Sequence, residues 1–393
     1  MASNPIDVAI VDGVPVPKAD VRSYEKLRVR QRMADASEVR NTHLSGQYGG
    51  IYIASLQSNF DLDAADTTTA DDGVTCIIDL DGSRFKVSRF DPATSQFDYL
   101  LNGSGQVDQE AVSSLADVNY GHDQWYALTQ TAAITKSTLT DVADGLPHMM
   151  RLTQSQASAQ RFGYAQVIEA SRVKRLRGKL VTFGGKLRHS NAAPVRYAIL
   201  EWTGTADVVT KDVVNSWTNG TFTAGQFFNS TTLTVRAVGT ITPAAATLTD
   251  FSLSAALGSA FNNLIVFVWT EGTSAQNSTL DTAVSLKFGA SVAPLIHRSY
   301  VDELWQCQRY FEQTNYTFIG DGYAAGSFCG VNVYYKNTKR VSPTASFVNN
   351  YRSNCGTETI YISNVASCTM YATATGASTI IEFRGILTAN ARL

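Results

Sequence analysis

Short alternating runs of apolar and polar residues, broken every eight to twelve positions or so by Gly, Asn, Ser or Thr clusters, dominate this chain and predict strands rather than helices. From about residue 119 to 294 the runs at 124–128, 172–183, 197–203, 231–238, 249–253, 264–270 and 283–288 read as strands of a two-sheet sandwich. After residue 316 further runs at 330–335, 346–350, 359–363, 368–373 and 379–387 predict a small β-domain. No long helices alternate with these strands, which disfavours a parallel α/β arrangement.

One helix stands out, over 300–313. Ser299 is its cap, Asp302 and Glu303 complement the positive end of its dipole, and Tyr300, Leu304, Cys307 and Phe311 recur at helical spacing. Trp305 and Tyr310 widen its apolar surface. Nearer the start, 74–80 and 84–90 flank Asp81-Gly82 and predict a hairpin with a type I′ turn. Residues 61–72 read as an acidic, Thr-rich loop, and Gly103-Ser104-Gly105 through residue 116 as a linker. Pro15 and Pro17 divide a short extended segment, 7–16, from a basic stretch, 18–40, of helical propensity with a thin apolar stripe.

Composition narrows the function classes. At 393 residues the chain is long for one core and suits several modules of about 100–200 residues each. Charged residues make up 17%, with a net charge of −2, against about a quarter in an average domain. Such a polar but weakly charged surface suits turn-rich β-proteins and subunit assemblies, and it argues against a general nucleic-acid binder. No apolar run approaches the roughly 18 residues that span a bilayer, so no membrane insertion is expected. Cys76, Cys307, Cys329, Cys355 and Cys368 are odd in number and widely spaced. They read as free thiols, with a late bridge among the last three left open.

Candidate chemistry is sparse. The metalloprotease, P-loop, nucleophile-elbow and dinucleotide motifs are absent, and no cofactor or metal site is implied. His43, His122, His148, His189 and His297 are scattered and read as surface or capped residues. Glycoside cleavage needs two carboxyl groups about 5–9 Å apart, and Glu201, Glu271, Asp281 and Glu358 have no spacing that pairs them. Aromatics beside amides are the stronger signal, because sugar C–H faces stack on rings while Asn, Asp and Arg bind hydroxyls. Tyr323, Tyr334, Tyr335, Tyr351 and Arg352, with Tyr361 near them, form the candidate receptor surface. Trp202 and Trp269 are secondary glycan-binding candidates that also fit a core role. In the basic stretch, Arg22, Lys26, Arg28 and Arg30 are candidates for docking on a partner.

Two segments carry a resemblance. The string "PLIHRSYVDELWQCQRYF" at 294–311 resembles a connector of bacteriophage tail-fibre and tailspike-like virion proteins, lying between a jelly-roll and a distal β-domain. The string "TTTADDGVTCIIDLDGSRFK" at 67–86 is similar to a hairpin near the start of many such proteins, with Phe85 where a Trp is frequent. "HDQWYAL" at 122–128 and "VKRLRGKLVTFGGKLRHS" at 173–190 fit the layout of the jelly-roll, which resembles carbohydrate-binding modules.

The resemblance implies a mainly β, multi-domain, trimeric fibre. Its parts would be an attachment arm (1–43), a small β-hairpin domain and linker (44–116), a jelly-roll body (117–298), a connector helix (299–315) and a β tip (316–393). It implies a non-enzymatic receptor-binding subunit on a virion surface, assembled in the host cytoplasm. Its partners would be itself as a homotrimer, tail, baseplate or capsid proteins, and host surface polysaccharide, with no nucleic acid. A tailspike depolymerase and a head fibre or tail decoration are the alternatives.

Overall fold

A computed structural model describes residues 98–142, 145–290, 298–321, 324–377 and 380–393, residue 295, and short stretches before residue 98. The chain divides into two compact units, Met1–Ser95 and Gln96–Leu393. In the first unit β1 (Val8–Val11) pairs with β2 (Val14–Pro17) as a hairpin. A second sheet has the order β3 (Gln31–Met33), β4 (Gly50–Ile53), β5 (Ser58–Leu62), β7 (Arg84–Val87), β6 (Cys76–Ile78).

Three expectations change within this unit. Gln31–Met33 is a strand, pairing parallel with β4, so sheet pairing overrides local helical propensity there. Asp61 belongs to β5 rather than to a loop, and Asp71 accepts two bonds from Arg40 and one from the amide of Ile78. The β6–β7 turn forms, but Gly82 at φ +80° is the one described residue in it with positive φ. A type I′ turn needs two such residues. Instead the carbonyl of Asp79 accepts from the amide of Gly82, and its carboxylate accepts from Asp81 and Ser83.

The second unit is built on an antiparallel sandwich. One sheet runs β16 (Thr249–Ala256), β13 (Leu180–His189), β18 (Thr279–Phe288), β11 (Leu146–Thr153), β10 (Ile134–Val142), β8 (Ser114–Leu115). The other runs β15 (Leu233–Ile241), β14 (Val195–Trp202), β17 (Asn263–Thr270), β12 (Phe162–Ile168), β9 (Tyr126–Thr129). Trp125, Phe162, Tyr164, Phe183, Tyr197 and Phe251 are among the side chains that fill the space between them.

Strands β14 to β18 fall close to the runs read from the sequence, but residues 172–178 do not begin a strand. They form a short helix, α1 (Ala170–Val173), and a 3-10 turn that ends before Gly178 at φ +69°. Residues 103–116 are no spacer either: the amide of Val107 donates to the side chain of Asn102, that of Gln109 donates to the carboxylate of Asp123, and Ser114–Leu115 is β8. The amide of Tyr99 donates to Leu286, that of Val284 donates to Gly103, and the indole of Trp125 donates to the carbonyls of Leu101 and Asn102. The segment from residue 98 thus lies along β18 as an added edge. A side chain at Gly103 would sit 2.0 Å from the Val284 carbonyl.

Helix α2 (Tyr300–Gln308) opens with Ser299 accepting from the amide of Asp302, as its sequence predicts. It stops five residues early, because Phe311 starts a strand, and Tyr300 and Trp305 face outward rather than into a core. Its other side clamps the body. Glu303 accepts from the amide of Asn102 and from Arg298, while Arg309 and the hydroxyl of Tyr310 donate to Glu169.

Beyond it the tip is a second, smaller sandwich. Sheet β19 (Phe311–Gly320), β24 (Ile381–Asn390), β21 (Thr344–Ser353) packs on sheet β20 (Phe328–Tyr334), β23 (Ser367–Thr373), β22 (Thr359–Ser363). Between them lie Cys329, Cys368, Met370, Phe383 and Leu387. Cys307, Cys329, Cys355 and Cys368 are buried free thiols, so the late bridge is absent from this structure.

Candidate functional site

The outer face of the β15-β14-β17-β12-β9 sheet is apolar, with Ala198, Leu200, Ile265, Phe267 and Trp269. Such a face must be covered, and the connection between β14 and β15, residues 203–232, covers it with Val213, Val214, Phe227 and Phe228. Trp269 lies under this cover at 0% exposure, stacked on Phe267 and Phe227 at 4.5 and 5.2 Å. It cannot meet a sugar, which corrects its candidacy. The unbroken apolar run of β17 is what a strand buried on both faces needs.

Trp202 sits differently, at the end of β14 where the cover begins. Its indole N–H donates to the carbonyl of Thr205 at 3.0 Å, and little of its ring is exposed. It forms the floor of a cavity of about 450 Å³ whose walls include Thr210, Asp212, Asn215, Asn229 and Ser230. The cover is held in shape by its own bonds. Asn229 donates from its side chain to the carbonyl of Asp212 at 2.8 Å, Asn215 donates to Gln226 at 3.0 Å, and the carboxylate of Asp212 accepts from the amide of Val214 at 3.0 Å.

These bonds use the amide NH2 groups and one carboxylate oxygen. The side-chain carbonyls of Asn215 and Asn229 and the second oxygen of Asp212 have no partner among the described residues, so the cavity offers acceptors to hydroxyl groups. Burial, assisted by Asp117, raises the carboxyl pKa of Asp212, while the Val214 amide opposes the shift. No cation lines this cavity.

The tip carries a second surface. On the outer face of β20-β23-β22, Phe328 and Tyr361 flank Tyr371 at 5.1 and 6.2 Å between ring centres, and Thr369 donates to Asn332 beside them. Tyr334 lies on the same face at 75% exposure, with Phe328 at 71% and Tyr361 at 68%. Phe328 and Tyr371 escape a search for Tyr beside Asn. Period-two alternation in "FCGVNVY" finds Phe328, since Phe328, Gly330, Asn332 and Tyr334 share a face.

The same period separates the other tip candidates. Tyr335 follows Tyr334 directly and points inward, buried, its hydroxyl 2.9 Å from that of Ser363. Tyr351 lies on the opposite sheet, with Arg384 5.3 Å over its ring. Arg352 is committed to Glu358 through two bonds of 3.0 and 2.6 Å. These residues therefore do not form one surface. Tyr323, Arg22, Lys26, Arg28 and Arg30 lie outside the described residues, as do His43 and His297.

The carboxylates considered for catalysis are each tied to arginine. Glu201 pairs with Arg236, Glu271 with Arg196, Asp281 with both Arg151 and Arg188, and Glu358 with Arg352. His122 is buried between the hydroxyls of Tyr164 and Thr138 at 3.0 Å each, and burial pushes its pKa down to about 4.

No family model and no curated protein matches the sequence. Solved structures that resemble part of the chain include the enzymatically active domain of bacteriophage CBA120 tailspike protein 4, with 13% identity and a TM-score of 0.32 over 49% of this chain and 21% of that one. The CBM22-1–GH10 modules of Clostridium thermocellum endo-1,4-β-D-xylanase 10B, complexed with xylohexaose, give 13% identity and 0.27 over 49% and 30%. The carbohydrate-binding module TmCBM61, complexed with β-1,4-galactotriose, gives 9% and 0.30 over 49% and 100%. The chain thus spans less than a third of the first two, and its structural neighbours include a phage tailspike domain and carbohydrate-binding modules.

Proposed function

We propose that this chain is a non-enzymatic glycan-binding subunit of a phage-like fibre, attaching the particle to host surface polysaccharide. The cavity over Trp202 carries the reading. A cation-free pocket of about 450 Å³, with unpartnered acceptors from Asp212, Asn215 and Asn229, on a rigid sandwich, is suited to a neutral polyhydroxylated ligand. The ring row Phe328–Tyr371–Tyr361 supplies a second contact surface, where sugar faces stack.

The fibre part of the proposal is supported by the two motif segments. The connector folds as a capped helix that fixes tip to body, and the hairpin at Asp81-Gly82 is formed. A homotrimer is part of the proposal too, since Ile319 and Val348 on the β19-β24-β21 sheet, opposite the ring row, leave apolar area outward that neighbouring copies would bury.

The test is saturable binding of the full chain to a panel of immobilised bacterial surface polysaccharides, with reducing-sugar release followed in the same wells. Binding without release, weakened at least tenfold by Asn229→Ala and Asp212→Ala, is the expected result. Release would convert the reading to a depolymerase, and absence of binding to every polysaccharide would overturn it.

A further inference from the structure

Helix α2 is built inside out. Its polar Glu303 and Gln308 are 4% and 5% exposed and lie against the body with Cys307, whereas Tyr300, Val301 and Trp305 stand outward at 53%, 71% and 57%. A helix on the surface of a lone domain turns its apolar stripe to the core and its polar side to water. Here the polar side is taken by fixed partners: Glu303 accepts from the amide of Asn102 and from Arg298, and the carbonyl of Gln308 accepts from Lys339. The apolar side is left to water.

The outward residues also have a spacing. Tyr300, Val301, Leu304 and Trp305 stand at i, i+1, i+4 and i+5, and Leu304 is partly exposed between the others. Val301 and Leu304 thus take the a and d positions of a heptad, flanked by Tyr300 and Trp305 at g and e, the seam by which a helix packs on parallel copies of itself. None of the four carries a charge that would repel its own copy, and the exposed carboxylate of the helix, Asp302, is held by the hydroxyl of Ser299. Tyr and Trp bury about 150–250 Å² each when covered, so this seam leaves roughly 300 Å² of apolar surface outward. That is well short of the ~800 Å² per partner of a stable two-copy contact. It suits one layer of a larger assembly in which each copy also buries its β19-β24-β21 face.

We propose that α2 packs at a threefold axis against the α2 helices of two further copies of this chain, with Val301 and Leu304 toward the axis and Tyr300 and Trp305 against the neighbouring helices. The inference rests on the homotrimer part of the proposed function and names the element that joins the copies where body meets tip. Rotation about the axis keeps the three helices parallel and in register, so each Val301 faces its own counterparts.

The experiment follows assembly of the full chain by sedimentation velocity over a hundredfold range of concentration. The parent should sediment as a trimer, and Trp305→Ser should need at least tenfold more protein to assemble, with circular dichroism melting showing that its fold is kept. Because Cys307, Cys329, Cys355 and Cys368 are buried, a Val301→Cys variant should join chains covalently under mild oxidant. Val208→Cys, comparably exposed but on the connection between β14 and β15, should not. The inference is overturned if Trp305→Ser assembles as readily as the parent, or if Val301→Cys joins chains no more than Val208→Cys does. If that happens while the parent is a trimer, the homotrimer stands and its placement on α2 falls; a parent that is monomeric throughout overturns both. The glycan reading stands apart from either outcome, since α2 lines neither the cavity over Trp202 nor the ring row.

Discussion

Asp98 should make the second unit more stable in mild acid than at neutral pH. The side chain is 7% exposed, and one of its oxygens accepts from the amides of Leu100 and Leu286 at 3.0 Å each, tying the 98–103 edge to β18. Burial pushes its carboxyl up to about 6 from 3.8, against the opposing pull of Arg298 and Lys287. As pH falls through 6 the native state takes up a proton that the unfolded state, titrating near 4, does not yet bind. Stability from this group therefore rises as pH falls from about 7 to 4 and is lost again as pH climbs back through 6.

A shift of roughly 2 pH units at 1.36 kcal/mol each is on the order of 3 kcal/mol. Asp98→Asn retains an acceptor oxygen for both amides without the charge. The stability of the variant minus that of the parent should therefore grow by about 2–3 kcal/mol between pH 4 and pH 7.5. Tryptophan fluorescence in urea suits the measurement, because Trp125, Trp202, Trp217, Trp269 and Trp305 all lie in the unit from Gln96 to Leu393. A difference that stays constant with pH would show that Asp98 does not titrate in this window and would refute the reasoning.

Gly103→Ala should lower the melting temperature sharply, because its methyl would meet the Val284 carbonyl at 2.0 Å; an overpacked site costs about 1–3 kcal/mol, and an unchanged melt would contradict the placement of this edge on β18. Lys339→Met should destabilise by about 3–5 kcal/mol, since it strands the buried carboxylate of Glu312. The double variant Lys339→Met, Glu312→Leu should recover most of that loss in the same denaturation assay. Millimolar dithiothreitol should leave the melt unchanged, because Cys307, Cys329, Cys355 and Cys368 are free; a drop would reveal a bridge.

What the sequence made legible follows how local the cause is. The cap at Ser299, the Asp81-Gly82 reversal and strands such as β17, β22 and β23 are set by side chains a few positions apart. Strands β10, β11 and β12 were not legible. In β10 the Thr and Ser residues mimic a turn, and β12 is buried on both faces and shows no alternation.

The candidate sites divide along the same line. Tyr334 and Tyr335 could have been assigned to opposite faces by parity alone. The cavity could not have been seen, because Trp202, Asp212 and Asn229 are brought together by long-range pairing, and residues 203–232 carry no periodicity that would reveal them as the lid of a sheet.

That lid divides its labour between two kinds of position. Val213, Val214, Phe227 and Phe228 face down into the apolar layer, where a change of one methylene is felt throughout the packing. Thr210, Asn215 and Ser230 face up and are exposed. A lineage of such proteins could therefore rewrite the upper set while the lower set is held fixed, altering which sugar is read without refolding the body. Sequence variation among relatives should then be concentrated at positions such as Thr210, Asn215 and Ser230, with the buried pairs Val213–Val214 and Phe227–Phe228 held invariant.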